Sequence, residues 1–232
     1  SGLNAFTKLA QNELKDDQIY LKTLEKLRPS LEYDELFGKS LENKDVVLGY
    51  YFKSRVEQGD DEKIGQLPKA ITEMTDEWTQ RLPIYKAEGF GANLAVLQTS
   101  AKSGGYFDNP SVDNDGVFRR VPLIQSYNNQ LYSSLALSTA SLALDSPNFE
   151  LIVETDGKKD GRDYYALEAI NLGKYRIPVD HNGAVYVPYR GKTGSFPYVS
   201  AYKVLNKTAD PAVLKNKIVL LGTSAPGLLD LR

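Results

Sequence analysis

The sequence contains no cysteine and only one histidine, one methionine and one tryptophan in 232 residues. Without thiols there is no disulfide, thiolate zinc site, iron–sulfur cluster or cysteine nucleophile. An excess of either charge is lacking too: 28 Lys and Arg stand against 30 Asp and Glu, a formal net charge of −2. Nucleic-acid binding relies on clustered basic residues, and here they are interspersed with acids, so no nucleic-acid partner is expected. No apolar run approaches the roughly 20 residues that cross a bilayer; the longest aliphatic run is 218–221. The ends, Ser1-Gly2-Leu3 and Leu231-Arg232, read as cut ends, so a domain excised from a longer chain is expected. What is present suits a folded domain: 41% hydrophobic, 25% charged and 10% aromatic residues, with 15 tyrosines. A chain of this length buries roughly 70% of the surface its unfolded form exposes, enough for a sizeable core without staples.

Residues 6–27 place Phe6, Leu9, Ala10, Leu14, Leu21, Leu24 and Leu27 mostly three, four and seven apart, with polar residues between. That spacing predicts an amphipathic helix, interrupted near Asp16-Asp17 and ended by Pro29-Ser30. Residues 33–41 read as a second short helix, and the β-prone run 45–52 as a strand covered on both faces. Residues 54–66 read as a surface loop and 67–82 as a helix holding Trp78. Two strands with glycine-rich turns are expected at 94–97 and 103–107. Asp115-Gly116 turns the chain into 117–124, and Asn128-Asn129 turns it back in a hairpin-like unit. Residues 132–144 read as a buried helix. In the last third, 149–153, 164–170, 175–179 and 184–189 read as short strands, the final two joined as a hairpin through Asp180-His181-Asn182-Gly183. A short helix at 198–205 and a last buried strand at 217–222 complete the pattern. The expected fold is α/β, a single domain with a mixed β-sheet flanked by helices and an N-terminal amphipathic helix. Residues 1–32 form its N-terminal helical segment and 33–232 its main part.

No complete catalytic set stands out. His181 lies in a turn, where a solvated role is preferred to that of a base. Gly222-Thr223-Ser224-Ala225-Pro226 follows an apolar run as a nucleophile elbow does, but Pro226 stands where the G-x-S-x-G pattern has its second glycine. A tight turn is preferred there, with a hydrolase built on Ser224 as the remote alternative. Residues 111–116 resemble the opening of a calcium loop, yet Ser111 holds the first ligand position and Pro122 the twelfth, which belongs to a bidentate glutamate. A side-chain-capped turn is the expectation. Gly222-Thr223-Ser224 lacks the lysine of a phosphate loop, Gly89-x-Gly91 lacks a third glycine, and Asp60-Asp61 sit in a polar loop. Tyrosine is the exception to this blandness. Tyr106, Tyr186, Tyr189 and Tyr198, with Arg119, Arg120 and Arg190, suit either a polar-aromatic pocket for an anion or half-buried strands. The candidate ligand or turn residues are Asp113, Asp115, Arg119, Arg120, Tyr189, Arg190, Thr223 and Ser224, with no catalytic residue, metal or cofactor.

The order of the segments says more than any one of them. Val47-Leu48-Gly49-Tyr50-Tyr51-Phe52, Gly89-Phe90-x-x-Asn93-Leu94, Gly104-Gly105-Tyr106-Phe107 and Asp113-x-Asp115-Gly116-Val117-x-Arg119-Arg120-Val121-Pro122-Leu123 appear in turn. Tyr132-x-Ser134-Leu135-Ala136-Leu137, Ile177-Pro178-Val179-Asp180-x-x-Gly183 and Val187-x-Tyr189-Arg190-Gly191 follow. The series closes on Leu214-Lys215-x-Lys217-Ile218-Val219-Leu220-Leu221-Gly222-Thr223-Ser224-Ala225-x-Gly227-Leu228-x-Asp230. From about Tyr33 to Asp230 this resembles the type 2 CHASE domain, the extracytoplasmic sensory module of bacterial membrane receptors. The family's opening strand, expected before Phe6, and a Thr-Pro pair after Asp230 fall outside the sequence. The resemblance implies a non-enzymatic input domain on the periplasmic side of the membrane, continuing into transmembrane helices and an intracellular adenylate or guanylate cyclase, or a kinase. Its partner would be a small-molecule or protein signal, and a homodimer is compatible with it. A structural dimerisation module without a small ligand is the alternative. The resemblance supplies no catalytic or ligand-binding residue to carry over.

Overall fold

The structure, a computed structural model, describes residues 2–159, 162–192 and 194–223. The chain divides into two units, 1–187 and 188–232.

In the first unit the N-terminal stretch forms α1 (Gly2–Gln11) and α2 (Gln18–Leu31). The break falls where the sequence places it, because the Asp17 carboxylate accepts hydrogen bonds from the Ile19 and Tyr20 amides at 3.0 and 2.9 Å and caps α2. Pro29 does not stop the helix. It removes a single amide from the ladder, and the Glu32 N–H still closes the last turn on the Arg28 carbonyl. Next come α3 (Tyr33–Leu41), as expected, and β1 (Val47–Lys53), which forms where a strand is expected but is not covered on both faces, since Tyr50 and Phe52 are buried and Tyr51 between them is exposed.

The chain continues through β2 (Lys63–Ile64), β3 (Thr72–Glu73), α4 (Glu77–Arg81), β4 (Gly89–Gly91), α5 (Ala95–Ser100) and β5 (Ser103–Tyr106). Two expectations fail here. The helix anticipated over 67–82 is reduced to α4, because the Ile71 and Met74 amides donate at 2.7 Å to the carbonyls of Leu131 and Asn129. Long-range pairing thus overrides helical periodicity. The run 94–97 leads into α5, and the strand is the glycine-rich β4 itself; a short apolar run does not distinguish helix from strand. The Tyr51 ring lies so close over Gly91 that a β-carbon has no room there. The sheet order is β2-β4-β1-β5, with β1 antiparallel to β4 and parallel to β5.

Then come β6 (Arg120–Pro122), β7 (Ile124–Tyr127), β8 (Gln130–Ser133) and α6 (Leu135–Ala143). Asn128 and Asn129, with φ of 48° and 59°, supply the two left-handed residues that a tight β7–β8 hairpin requires. β3 pairs with β8 on the hairpin's other side. The Ser134 hydroxyl accepts the Leu137 amide at 3.2 Å, so α6 starts later than the sequence suggests and β8 takes residues 130–133. β9 (Phe149–Lys159), β10 (Arg162–Leu172) and β11 (Tyr175–Pro178) form an antiparallel sheet. β12 (Ala184–Tyr186) pairs with β6 and not with β11. The 180–183 turn is therefore present, but its flanking strands part after the Asp180 amide bonds the Ala184 carbonyl at 2.8 Å. Bonds of 2.9 Å from Leu123 N–H to Gly183 O and from Val187 N–H to Arg119 O draw β12 onto β6.

One apolar cluster joins Ile124 and Leu131 of the hairpin, Leu137 of α6, and Leu167, Ile170 and Leu172 of β10. A second, aromatic cluster joins Tyr50 and Phe52 of β1 with Phe90, Tyr106 and Tyr132. Each fully buried side chain of this kind contributes about 1.5–3 kcal/mol relative to exposure. The mixed α/β class and the N-terminal helix are those the sequence predicts, with the described strands spread over several small sheets.

The second unit carries α7 (Ala201–Leu205) and α8 (Pro211–Leu214), the latter capped by Asp210, whose carboxylate accepts the Ala212 amide at 2.9 Å. The strand expected at 217–222 is not formed. Within this unit no described strand presents an edge to its N–H and C=O groups, and apolar sequence without a ladder does not make a strand. None of the unit's described residues is buried. Among the described residues of the chain, no helix is long and apolar enough to cross a membrane.

Candidate functional site

The loop before β6 is shaped by its own turn chemistry. The Gly116 amide donates to the Asp113 carbonyl at 2.8 Å, the Asp113 amide to the Val117 carbonyl at 3.2 Å, and Gly116 takes φ 79°, a conformation suited to glycine. The Asp115 carboxylate also accepts the Val117 amide at 3.2 Å. This compact turn sets two carboxylates against the two arginines that lead into β6. Arg119 donates from Nη1 to Asp113 Oδ2 at 3.0 Å and to Asp115 Oδ1 at 2.9 Å, and from Nη2 to Asp115 Oδ2 at 2.6 Å. Arg120 donates from Nη2 to Asp113 Oδ1 at 3.0 Å, and its Nη1 lies 3.8 Å from Asp180 Oδ2.

The backbone beneath is fixed from several sides. The Asn109 side-chain amide donates to the Arg120 carbonyl and the Tyr106 hydroxyl to the Pro122 carbonyl, both at 2.8 Å. Asp180 is held in turn, its Oδ1 accepting the Asn182 and Ala184 amides at 3.0 and 2.9 Å. Val112, Asp113, Asn114, Asp115, Arg119 and Arg120 line an open concavity of about 470 Å³. Tyr186 stands opposite Arg120 in the β6–β12 register and is 74% exposed.

Charge pairing dominates the local electrostatics. The Arg119 fork, then the Val117 amide, hold the Asp115 carboxyl down at about 2. Hydrogen bonds from Arg119 and Arg120 lower that of Asp113; in return Asp115, then Asp113, raise the Arg119 guanidinium, and Asp113 raises that of Arg120, above the ordinary range. The network is solvated and therefore screened, so it orders the loop more than it stabilises the fold. The residues lining the concavity present charged forks and carboxylates, with no hydroxyl or imidazole among them.

Of the residues singled out from sequence, Asp113, Asp115, Arg119 and Arg120 come together. Tyr106 does not line the concavity; it is 1% exposed, with its hydroxyl spent on Pro122. Tyr189, Arg190 and Thr223, with Tyr198, belong to the second unit, and Ser224 lies outside the described residues. The calcium-like run turns both its carboxylates onto arginines, and Pro122 sits in β6 opposite Ala184. His181 is exposed. Asp180 was missed as part of the network. The turn that holds it was legible, but the β6–β12 pairing that brings it to Arg120 was not.

A second polar group lies inside the first unit. Asp108 accepts the Phe52 amide at 2.7 Å and the Gln125 side-chain amide at 2.9 Å, bridging β1 to β7. Burial raises its pKa, against the lowering effect of those two bonds. Burial likewise raises the phenols of Tyr50 and Tyr106. Among the described residues, the buried Tyr50 hydroxyl has no hydrogen-bond partner. In the second unit, Lys207 and Lys215 flank a largely apolar concavity of about 470 Å³ floored by Val204, Pro211 and Leu214.

A family model described as the CHASE2 domain matches residues 4–232, essentially the whole chain. No curated protein and no solved structure matches it.

Proposed function

Because the chain belongs to the CHASE2 family of extracytoplasmic sensory domains, we propose that it is the ligand-sensing input of a bacterial transmembrane receptor with an intracellular adenylate or guanylate cyclase output. The observation that carries this reading is a family match spanning 4–232. The family is sensory and not catalytic, which agrees with a fragment that is not itself an enzyme. The signal is a small molecule or a protein met on the periplasmic side, and the Asp113–Arg119–Arg120 network is the place offered to it. Coupling of this kind needs only about 1–3 kcal/mol of differential binding between two states.

The test uses the full-length receptor in sealed membrane vesicles with the extracytoplasmic face outward. Cyclic nucleotide output is followed while fractions of growth medium are added outside, with cyclase substrate loaded inside. Output that changes with some fraction, and ceases to change in Arg119→Gln and Arg120→Gln receptors, supports the reading. Output indifferent to every fraction, from a receptor whose circular dichroism shows it folded, overturns it.

A second reading has its own observation. Tyr33, Leu36 and Phe37 of α3 leave apolar surface exposed, which suits a dimerisation module without a small ligand. Sedimentation equilibrium decides: a concentration-dependent dimer that Phe37→Glu makes monomeric supports it, and a monomer at all concentrations excludes it.

A further inference from the structure

Resting on the sensory reading, we propose that Arg119 is the anchor for an anionic ligand group, a carboxylate or phosphate, and that the Asp115 carboxylate is a resident stand-in which that ligand displaces. Two parallel bonds from one guanidinium to one carboxylate are the geometry by which arginine recognises planar or tetrahedral oxyanions. Asp115 fills it from within the same loop, at 2.9 and 2.6 Å.

The two carboxylates that Arg119 meets differ in how firmly they are held. Asp113 bridges both arginines and its side chain is 20% exposed, whereas Asp115 meets only one of them, accepts the neighbouring Val117 amide at 3.2 Å and is 54% exposed. Beside it, Gly116 has open space around it, with nothing within 4 Å of an added β-carbon. Asp115 can therefore swing outward while Asp113 keeps Arg119 in position, and an exposed ion pair is weak enough to exchange.

Charge sets the same order of events. Three carboxylates, Asp113, Asp115 and Asp180, surround two guanidinium groups. With Asp115 in place the group carries a net −1 and repels a further anion; with Asp115 swung out it is neutral, and a singly charged anionic group restores the resting −1. The exposed face of Val112, which lines the concavity, suits a ligand with a short aliphatic part.

Isothermal titration of the 232-residue chain with succinate and, separately, inorganic phosphate at low ionic strength tests this. Asp115→Asn, which weakens the internal competitor, binds at least one probe about threefold to fivefold more tightly than the unmodified chain. Arg119→Gln loses that binding. Arg119→Lys, which keeps the charge and loses the fork, loses most of it. Preference for succinate identifies a carboxylate ligand, and preference for phosphate a phosphorylated one. Equal affinity of Asp115→Asn and the unmodified chain, no binding of either probe to Asp115→Asn, or undiminished binding by a folded Arg119→Gln overturns the proposal. Binding is read without any output domain, so failure here leaves the sensory reading to the vesicle experiment.

Discussion

Two tyrosine hydroxyls in one aromatic cluster carry opposite expectations. Tyr106 donates to the Pro122 carbonyl at 2.8 Å, so Tyr106→Phe leaves that carbonyl short of a donor and costs about 1 kcal/mol. The Tyr50 hydroxyl is buried without a partner, so Tyr50→Phe removes an unmet polar group and is neutral or gains up to about 1 kcal/mol. Urea unfolding of the two variants measures the contrast. Asp108 sets a pH dependence. Its raised pKa means that the folded chain keeps a proton the unfolded chain releases near pH 3.9, so this stabilising contribution is present below that pH and is lost as pH rises through the folded value. The unfolding free energy of the parent chain relative to Asp108→Asn therefore falls as pH rises above about 4; a difference flat in pH contradicts the assignment. Neither Asp108 nor Tyr50 could be singled out from sequence. Their burial arises where the β1–β5 ladder runs on through the Asp108 side chain, and nothing in Tyr106-Phe107-Asp108 encodes the Phe52 amide as a partner.

Elements whose partners are close in sequence were the legible ones. The Asn128-Asn129 hairpin shows this, since turn chemistry and strand pairing are set by adjacent residues. The same logic gives a prediction: Asn129→Gly keeps or slightly raises stability, whereas Asn129→Val, forced to φ near 59°, costs about 1–2 kcal/mol in thermal or urea unfolding. Elements set by distant partners were misread. β3 lies where a helix was anticipated because β8 supplies its hydrogen bonds, and β12 leaves its neighbour β11 for β6. The run at 218–221 shows the converse, since hydrophobicity and β-propensity specify a strand only together with a partner edge. Half of the candidate site residues were legible for the local reason again. Asp113, Asp115, Arg119 and Arg120 lie within one turn and its exit, so their meeting needed no remote contact.

At the scale of the whole molecule, the ordered series of weak motifs was the durable signal, because it samples the chain from end to end and does not depend on any one element being assigned correctly. The division into 1–187 and 188–232 was not visible in that series. Buried clusters hold the first unit, while no described residue of the second is buried. Local opening is easiest where few apolar contacts must be broken. In hydrogen exchange, amides of α7 and α8 are therefore expected to exchange well before those of Leu167, Ala169, Ile170 and Leu172 in β10. Equal protection in both units contradicts this.

The Asp115 carboxylate, finally, is tethered to the guanidinium it occupies. A tethered group competes at a fixed effective concentration, on the order of millimolar for short flexible links, however dilute the protein. On the proposal that Asp115 is a displaceable occupant of an anion site, the response threshold would be written into the loop: trace anions would leave the receptor silent, and it would respond when the surroundings hold the anion in bulk. Substitutions at 114–117 that stiffen or loosen the turn would retune that threshold without touching Arg119.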